Sequence, residues 1–229
     1  MSYSINNSFN TKSTEYRASV NIWDTDPKTG RCGHASVSIQ KIDYSSEELK
    51  KYLGMWPKYG WTVTPFTLLL AFPAKHLKSK MACMDREGDE GPLKPSRQYN
   101  IQITEAQHQS MNNEFNRING KIKNRTTLYT LFPLFNLVRF AEKVATPSVI
   151  RQLHACPMTG MELDHPTLIN DCQGIKELET DNCTTAAIKI LNAGGIGVKT
   201  GSFPWGLAPT SLGDQLDVLK KTDSSISRK

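Results

Sequence analysis

The chain has 229 residues, 38% of them hydrophobic and 22% charged, with a net charge of +6. This composition suits a packed core and excludes wholesale disorder. Lys and Arg are spread along the chain without a dense basic block, so no strong nucleic-acid surface is expected.

Residues 1–15 are polar, rich in Ser, Asn and Thr, and are expected to form a mobile tail with no secretory signal. Residues 16–24 alternate apolar and polar side chains, which predicts a strand. Asp26-Pro27-Lys28-Thr29-Gly30 is turn chemistry. His34-Ala35-Ser36-Val37-Ser38-Ile39-Gln40 alternates again. The two runs make a β-hairpin with His34 at the loop end of its second strand.

Residues 45–53 open on a Ser-Ser-Glu-Glu cap and predict a short helix, after which Trp56-Pro57 and Gly60 break the chain. Residues 61–72 are rich in β-formers, and 84–96 form an acidic, breaker-rich loop. Residues 99–103 predict another strand. Thr104 then caps a helix with Met111, Phe115 and Ile118 on one face. Residues 128–145 predict helix on either side of Pro133, and Arg139, Glu142 and Lys143 exclude a membrane span there. The apolar run 66–72 is too short to cross a bilayer. A last helix is expected within 207–219. The organisation expected is one domain over 16–221, with a helical insertion near 104–172 and a frayed tail at 222–229.

Asp181-Asn182-Cys183-Thr184-Thr185-Ala186-Ala187 places Cys183 in the first turn of a helix. Asp181 and Asn182 are good caps, Ala186, Ala187, Ile190 and Leu191 recur at helical spacing, and Asn192 and Gly194-Gly195 stop the helix. A thiol there feels the positive end of the helix dipole, which favours the nucleophilic thiolate. The plain alternative is a small buried hydrophobe.

Five cysteines at irregular spacing argue against a disulfide framework and for a reducing, cytoplasmic compartment. His154, Cys156, His165 and Cys172 are close in sequence but include no Cys-x-x-Cys pair, so no metal site is expected. The acidic loop lacks the twelve-residue calcium pattern, and Gly194-Gly195-Ile196-Gly197 follows a helix instead of opening one, unlike a phosphate loop. No cofactor is expected. Cys32 lies two residues before His34 and reads as a packed or exposed thiol, with a regulatory disulfide to Cys183 as the alternative.

Gly33-His34-Ala35-Ser36-Val37-Ser38-Ile39, followed far downstream by Asn182-Cys183-Thr184-Thr185-Ala186, resembles the circularly permuted papain-like thiol hydrolases. That superfamily includes the PPPDE-type deubiquitinating peptidases and the lecithin retinol acyltransferase-like enzymes. Leu53-Gly54-Met55-Trp56-Pro57 resembles their Trp-Pro strand, the loop from Asp85 to Pro92 their Asp/Glu-Gly-Pro loop, and the stretch from Trp205 to Leu212 their Pro-containing tail.

The resemblance implies an α+β fold, with a permuted papain-like antiparallel sheet packed on the helix that carries the nucleophile. It implies Cys183 as nucleophile and His34 as general base, with an acyl-enzyme intermediate. No polar residue near 53–56 stands out to orient the histidine, which leaves a Cys-His dyad or an unidentified third group. Asn182 either supports the oxyanion site or caps the helix. The activity implied first is a peptidase or isopeptidase acting on a protein or peptide. An amidase or acyltransferase acting on lipid or small acceptors, or a non-catalytic interaction module of the same fold, are the alternatives. Such folds also occur in bacterial proteins translocated into host cells, with which the polar tails are compatible.

Overall fold

The structure, a computed structural model, describes residues 14–24, 33–43, 49–57, 72–77, 94–124, 126–130, 179–201 and 207–229. Strands β1 (Glu15–Trp23) and β2 (His34–Ile42) form the expected hairpin, antiparallel, with Val20 opposite Val37 and Trp23 opposite His34. On the far side of β2 lies β3 (Leu49–Pro57), followed by β4 (Phe72–Leu77). On the far side of β1 lies β5 (Arg97–Ile103). With β6 (Thr127–Tyr129), β7 (Glu179–Asp181) and β8 (Ile226–Arg228), the sheet has the order β7-β6-β4-β3-β2-β1-β5-β8. Every neighbouring pair is antiparallel except β6 and β7.

Strand pleating sends successive side chains to opposite faces. Ala18, Val20 and Ile22, Ala35, Val37 and Ile39, Leu53 and Met55, and Tyr99, Ile101 and Ile103 all point to one face, by register. These residues pack in one cluster with buried residues of α1 (Glu105–Lys123), α2 (Cys183–Ala193) and α3 (Pro209–Thr222). Each buried aliphatic side chain there contributes about 1.5–3 kcal/mol. Two contacts show that α1 and α3 lie on this face, and a third joins α2 to α1. His76 of β4 reaches Asn119 of α1 at 2.9 Å, and the Tyr99 hydroxyl donates to the Gly213 carbonyl of α3 at 3.0 Å. Gly194, at the end of α2, presses on Met111 of α1 so closely that a Cβ would meet its side chain at 2.7 Å.

The opposite face is polar and also buried. Asn21, Ser36 and Ser38 are 2%, 0% and 2% exposed, in the middle of strands where solvation would be ordinary. Their hydrogen bonds run across the strands. Ser19 donates to Asn100 at 2.8 Å, and Ser36 Oγ accepts from Tyr52 at 2.7 Å and from Asn21 at 3.2 Å.

The α+β class and most elements follow the expectations. The helix after Thr104 carries a complete capping box and buries Met111, Phe115 and Ile118. Four expectations are corrected. The short helix expected to run to Leu53 is not formed over 49–53: from Leu49 the chain is strand β3, because pairing with β2 outweighs a local cap signal worth about 1 kcal/mol, while 45–48 lie outside the described residues. Leu128 and Tyr129 lie in β6, not in a helix, since the parallel partner β7 comes from far along the chain. The helix expected to open an insertion at 104 is core, with α1 packed on the sheet.

The tail at 222–229 is not frayed. Ile226 is buried in β8 against β5, and Arg228 meets Asp217 at 3.0 Å. Three residues are too few to show periodicity. The 26–30 turn, residues 58–71 and 78–93, and the segment 131–178 with His154, Cys156, His165 and Cys172 lie outside the described residues, as do 1–13, Cys32 and 202–206. Among the described residues no helix is long and apolar enough to cross a membrane.

Ile226→Ala is expected to lower the unfolding free energy by about 2–4 kcal/mol, against about 0.5 kcal/mol or less for Val218→Ala on the exposed side of α3. Urea unfolding checks this; equal midpoints for the two variants would contradict the packing of β8.

Candidate functional site

The Cys183 helix starts where the sequence places it. Asn182 is extended, its side chain accepts from the Thr185 amide at 2.8 Å, and Thr185 Oγ1 accepts from the Asn182 amide at 2.8 Å. This reciprocal capping occupies the Asn182 side chain in holding the helix start. Asp181, just outside the helix, is 1% exposed and accepts from Lys189 at 2.7 Å and from Thr185 Oγ1 at 3.1 Å. Burial raises the Asp181 pKa above the usual carboxylate range against the pull of Lys189.

Glu179, two residues earlier, joins β7 to both neighbouring helices. It accepts from Arg117 at 2.9 Å and Lys121 at 2.7 Å on α1, and sits 3.6 Å from Lys189 on α2. Burial would raise its pKa, but Lys121, Lys189 and Arg117 outweigh that and hold it at about 2.

Cys183 itself is 6% exposed and lies inside the main core cluster. Its Sγ is 3.9 Å from the Tyr129 hydroxyl, which donates to it, and 3.9 Å from Thr184 Oγ1. Tyr129 was not singled out from the sequence, because it reaches Cys183 only through the parallel pairing of β6 with β7.

His34 is placed elsewhere. In β2 it falls in the same alternation as Ser36 and Ser38, so its ring projects from the polar face, while α2 packs on the Ala35 and Val37 face. Its neighbours agree with that register. The ring stacks on Trp56 at a centroid distance of 4.6 Å and 28°, and meets Trp23 at 5.3 Å. Trp23 and Trp56 belong to the same face as Asn21 and Tyr52. The sheet therefore separates His34 from Cys183, and among the described residues no hydrogen bond joins them.

The expected Cys-His pair is not assembled. The pairing of β2 on both sides decides which face His34 takes. Burial pushes the His34 imidazole down to about 3, so the ring is neutral and a poor proton acceptor at neutral pH.

A different histidine is held by hydrogen bonds. His76 Nε2 donates to the Tyr52 carbonyl at 2.6 Å, and Nδ1 lies 2.9 Å from the Asn119 side chain. Its ring meets Phe115 edge-on at 5.8 Å. This ties β4 to β3 and α1 and leaves neither ring nitrogen available for chemistry. Among the described residues no group of three or more His, Cys, Asp or Glu side chains is placed to hold a metal ion.

Comparison with known proteins returned no matching family model, no matching curated protein and no matching solved structure.

His34 also sets a pH dependence. The unfolded ring takes its proton near 6.5 and the folded ring near 3, so its contribution is intact above 6.5 and is lost as pH falls through that window. Glu179 adds its own loss only as pH falls from 4.5 toward about 2. Between 6.5 and 4.5, His34→Phe is therefore expected to reduce the fall in unfolding free energy by about 1.4 kcal/mol per pH unit. Urea unfolding at several pH values checks this; identical slopes for both proteins would contradict a buried neutral ring.

Proposed function

We propose that this chain acts as a non-catalytic interaction module of α+β fold, in which Cys183 and His34 are core residues and a protein surface is the partner. The observation that supports it is the placement of the two residues on opposite faces of one sheet, each buried. Thiol hydrolysis needs a thiolate, a base within hydrogen-bond reach and a path for the carbonyl. His34 offers none of these to Cys183 here, and the Asn182 side chain is committed to the helix cap.

A second reading keeps the permuted papain-like thiol hydrolase, acting on amide bonds of a protein or peptide. What favours it is the position of Cys183 at the first residue of a capped helix, with the Tyr129 hydroxyl beside its sulfur. The helix amides there suit an oxyanion. That reading requires either a base other than His34 or a rearrangement that carries the histidine through the sheet.

Alkylation of the native protein with iodoacetamide, read peptide by peptide, separates the two. The module reading expects Cys183 to label more slowly than in the urea-unfolded chain, and His34→Ala to leave any acyl-probe signal at background. Rapid labelling of native Cys183 that His34→Ala abolishes would overturn it in favour of the hydrolase.

A further inference from the structure

A groove of about 470 Å³ lies where the start of α1 and the ends of α2 and α3 come together over β5 and β8. Much of its lining is apolar. Ile101 and Ile103 of β5, Ile226 of β8 and Ile196 after α2 are buried, and Leu219 of α3 is partly buried. The groove has room along its wall: a Cβ placed on Gly197 meets nothing within 4 Å.

Several polar side chains of the lining are engaged within the protein. Gln107 donates to the Gly194 carbonyl at 2.8 Å and accepts from the Thr104 amide at 2.9 Å, and Thr222 donates to the Leu219 carbonyl at 3.1 Å. Asp223, which follows the last residue of α3, is different. Its carboxylate accepts from the Ser225 amide at 2.9 Å, and hydrogen bonds from Ser225 hold it below the usual carboxylate range, so it is ionised. Among the described residues it forms no ion pair. It is also the one charged residue of the lining, in a chain of net charge +6. Lys220 and Lys221 of the same turn are exposed and outside the lining. We propose that this groove binds a small aliphatic ammonium ion, its chain on the isoleucine floor and its charged head against Asp223 at the end of α3.

The lining selects that class. An anion meets both the Asp223 carboxylate and the negative end of the α3 dipole, which Thr222 and Asp223 bring to the groove. A purely apolar ligand covers the carboxylate without pairing it, which is costly. A calcium ion takes about six to eight oxygen ligands, and one carboxylate over an apolar floor does not supply them. An ammonium head brings a full positive charge and N–H donors to a carboxylate with lone pairs to spare, and its chain removes apolar floor from water. The volume falls in the range of about 300–1,000 Å³ that small ligands occupy. Cys183 and His34 take no part in this groove, so its fate is separate from that of the module and hydrolase readings.

The test is a titration of the nitrogen-15-labelled full chain with n-hexylammonium, with hexanol and hexanoate as controls, following the backbone amides of Gly195, Gly197 and Ser225. Hexylammonium is expected to move all three saturably, hexanol to bind about tenfold more weakly, and hexanoate to leave them in place. Asp223→Asn keeps an oxygen for the Ser225 amide and is expected to weaken hexylammonium about tenfold while hexanol binds as before. Gly197 has no positive φ and open space at its Cβ, so Gly197→Leu is expected to fold normally and abolish saturation by both. A native chain that hexylammonium does not move, or binds no more tightly than hexanol, overturns the proposal, and these two readings need no variant. An unchanged hexylammonium affinity in Asp223→Asn overturns it as well. So does tighter binding of N-acetyl-lysine methylamide than of hexylammonium, which would assign the groove to a lysine side chain of a partner protein.

Discussion

Everything else in this structure depends on β2 being paired on both edges and buried on both faces. Its register with β1 and β3 fixes which way each side chain points, and a slip of one residue would exchange the two faces entirely. Such a slip would drive Ser36 and Ser38 into the aliphatic cluster and Ala35, Val37 and Ile39 into the polar layer. The hydrophobic burial on one side and the hydrogen bonds of Ser36 with Tyr52 and Asn21 on the other both oppose it. His34 is carried by the same register to the polar face, and the chemistry of the site follows from that.

The beginning of α2 is fixed by a different kind of interaction. Asp181 and Glu179 lie on a short strand between two helices, and Lys189, Lys121 and Arg117 close on them. Exposed ion pairs contribute little, but Asp181 is buried, and leaving a buried carboxylate without its partner is costly. These pairs, with the Asn182 and Thr185 capping box, hold Cys183 against Tyr129 and within the core. The helix start that suggested a reactive thiol is thus explained by what it takes to seat a largely buried helix beside α1 on the sheet.

Much of this was legible in the sequence because the relevant signals are local. The alternation of residues 16–24 and 34–40, the Thr104 cap with Met111, Phe115 and Ile118, and the Asn182 cap with its Gly-Gly stop all act within a turn or two of chain. The strands β6, β7 and β8 are not legible locally for one physical reason: each is specified by its partner across the sheet and is only three residues long. Of β3, only the Leu53–Pro57 end shows in the sequence, through the resemblance to a Trp-Pro strand. The same limit applied to the site. Cys183 was located correctly on its helix, and His34 correctly on its strand, but whether they meet depends on which face of the sheet the helix covers. The pattern His34, Ser36, Ser38 against Ala35, Val37, Ile39 carried that information, since the apolar set is the one a helix layer covers.

The central claim is that His34 is a buried, neutral ring with no proton exchange with Cys183. Following the His34 ring nitrogens by NMR from about pH 8 down to pH 5 tests it most directly. The account predicts a ring that stays neutral throughout, with its protonation near 3 and the same spectrum in Cys183→Ser. A ring that titrates near neutral pH, with a midpoint that moves when the thiol is removed, would contradict it.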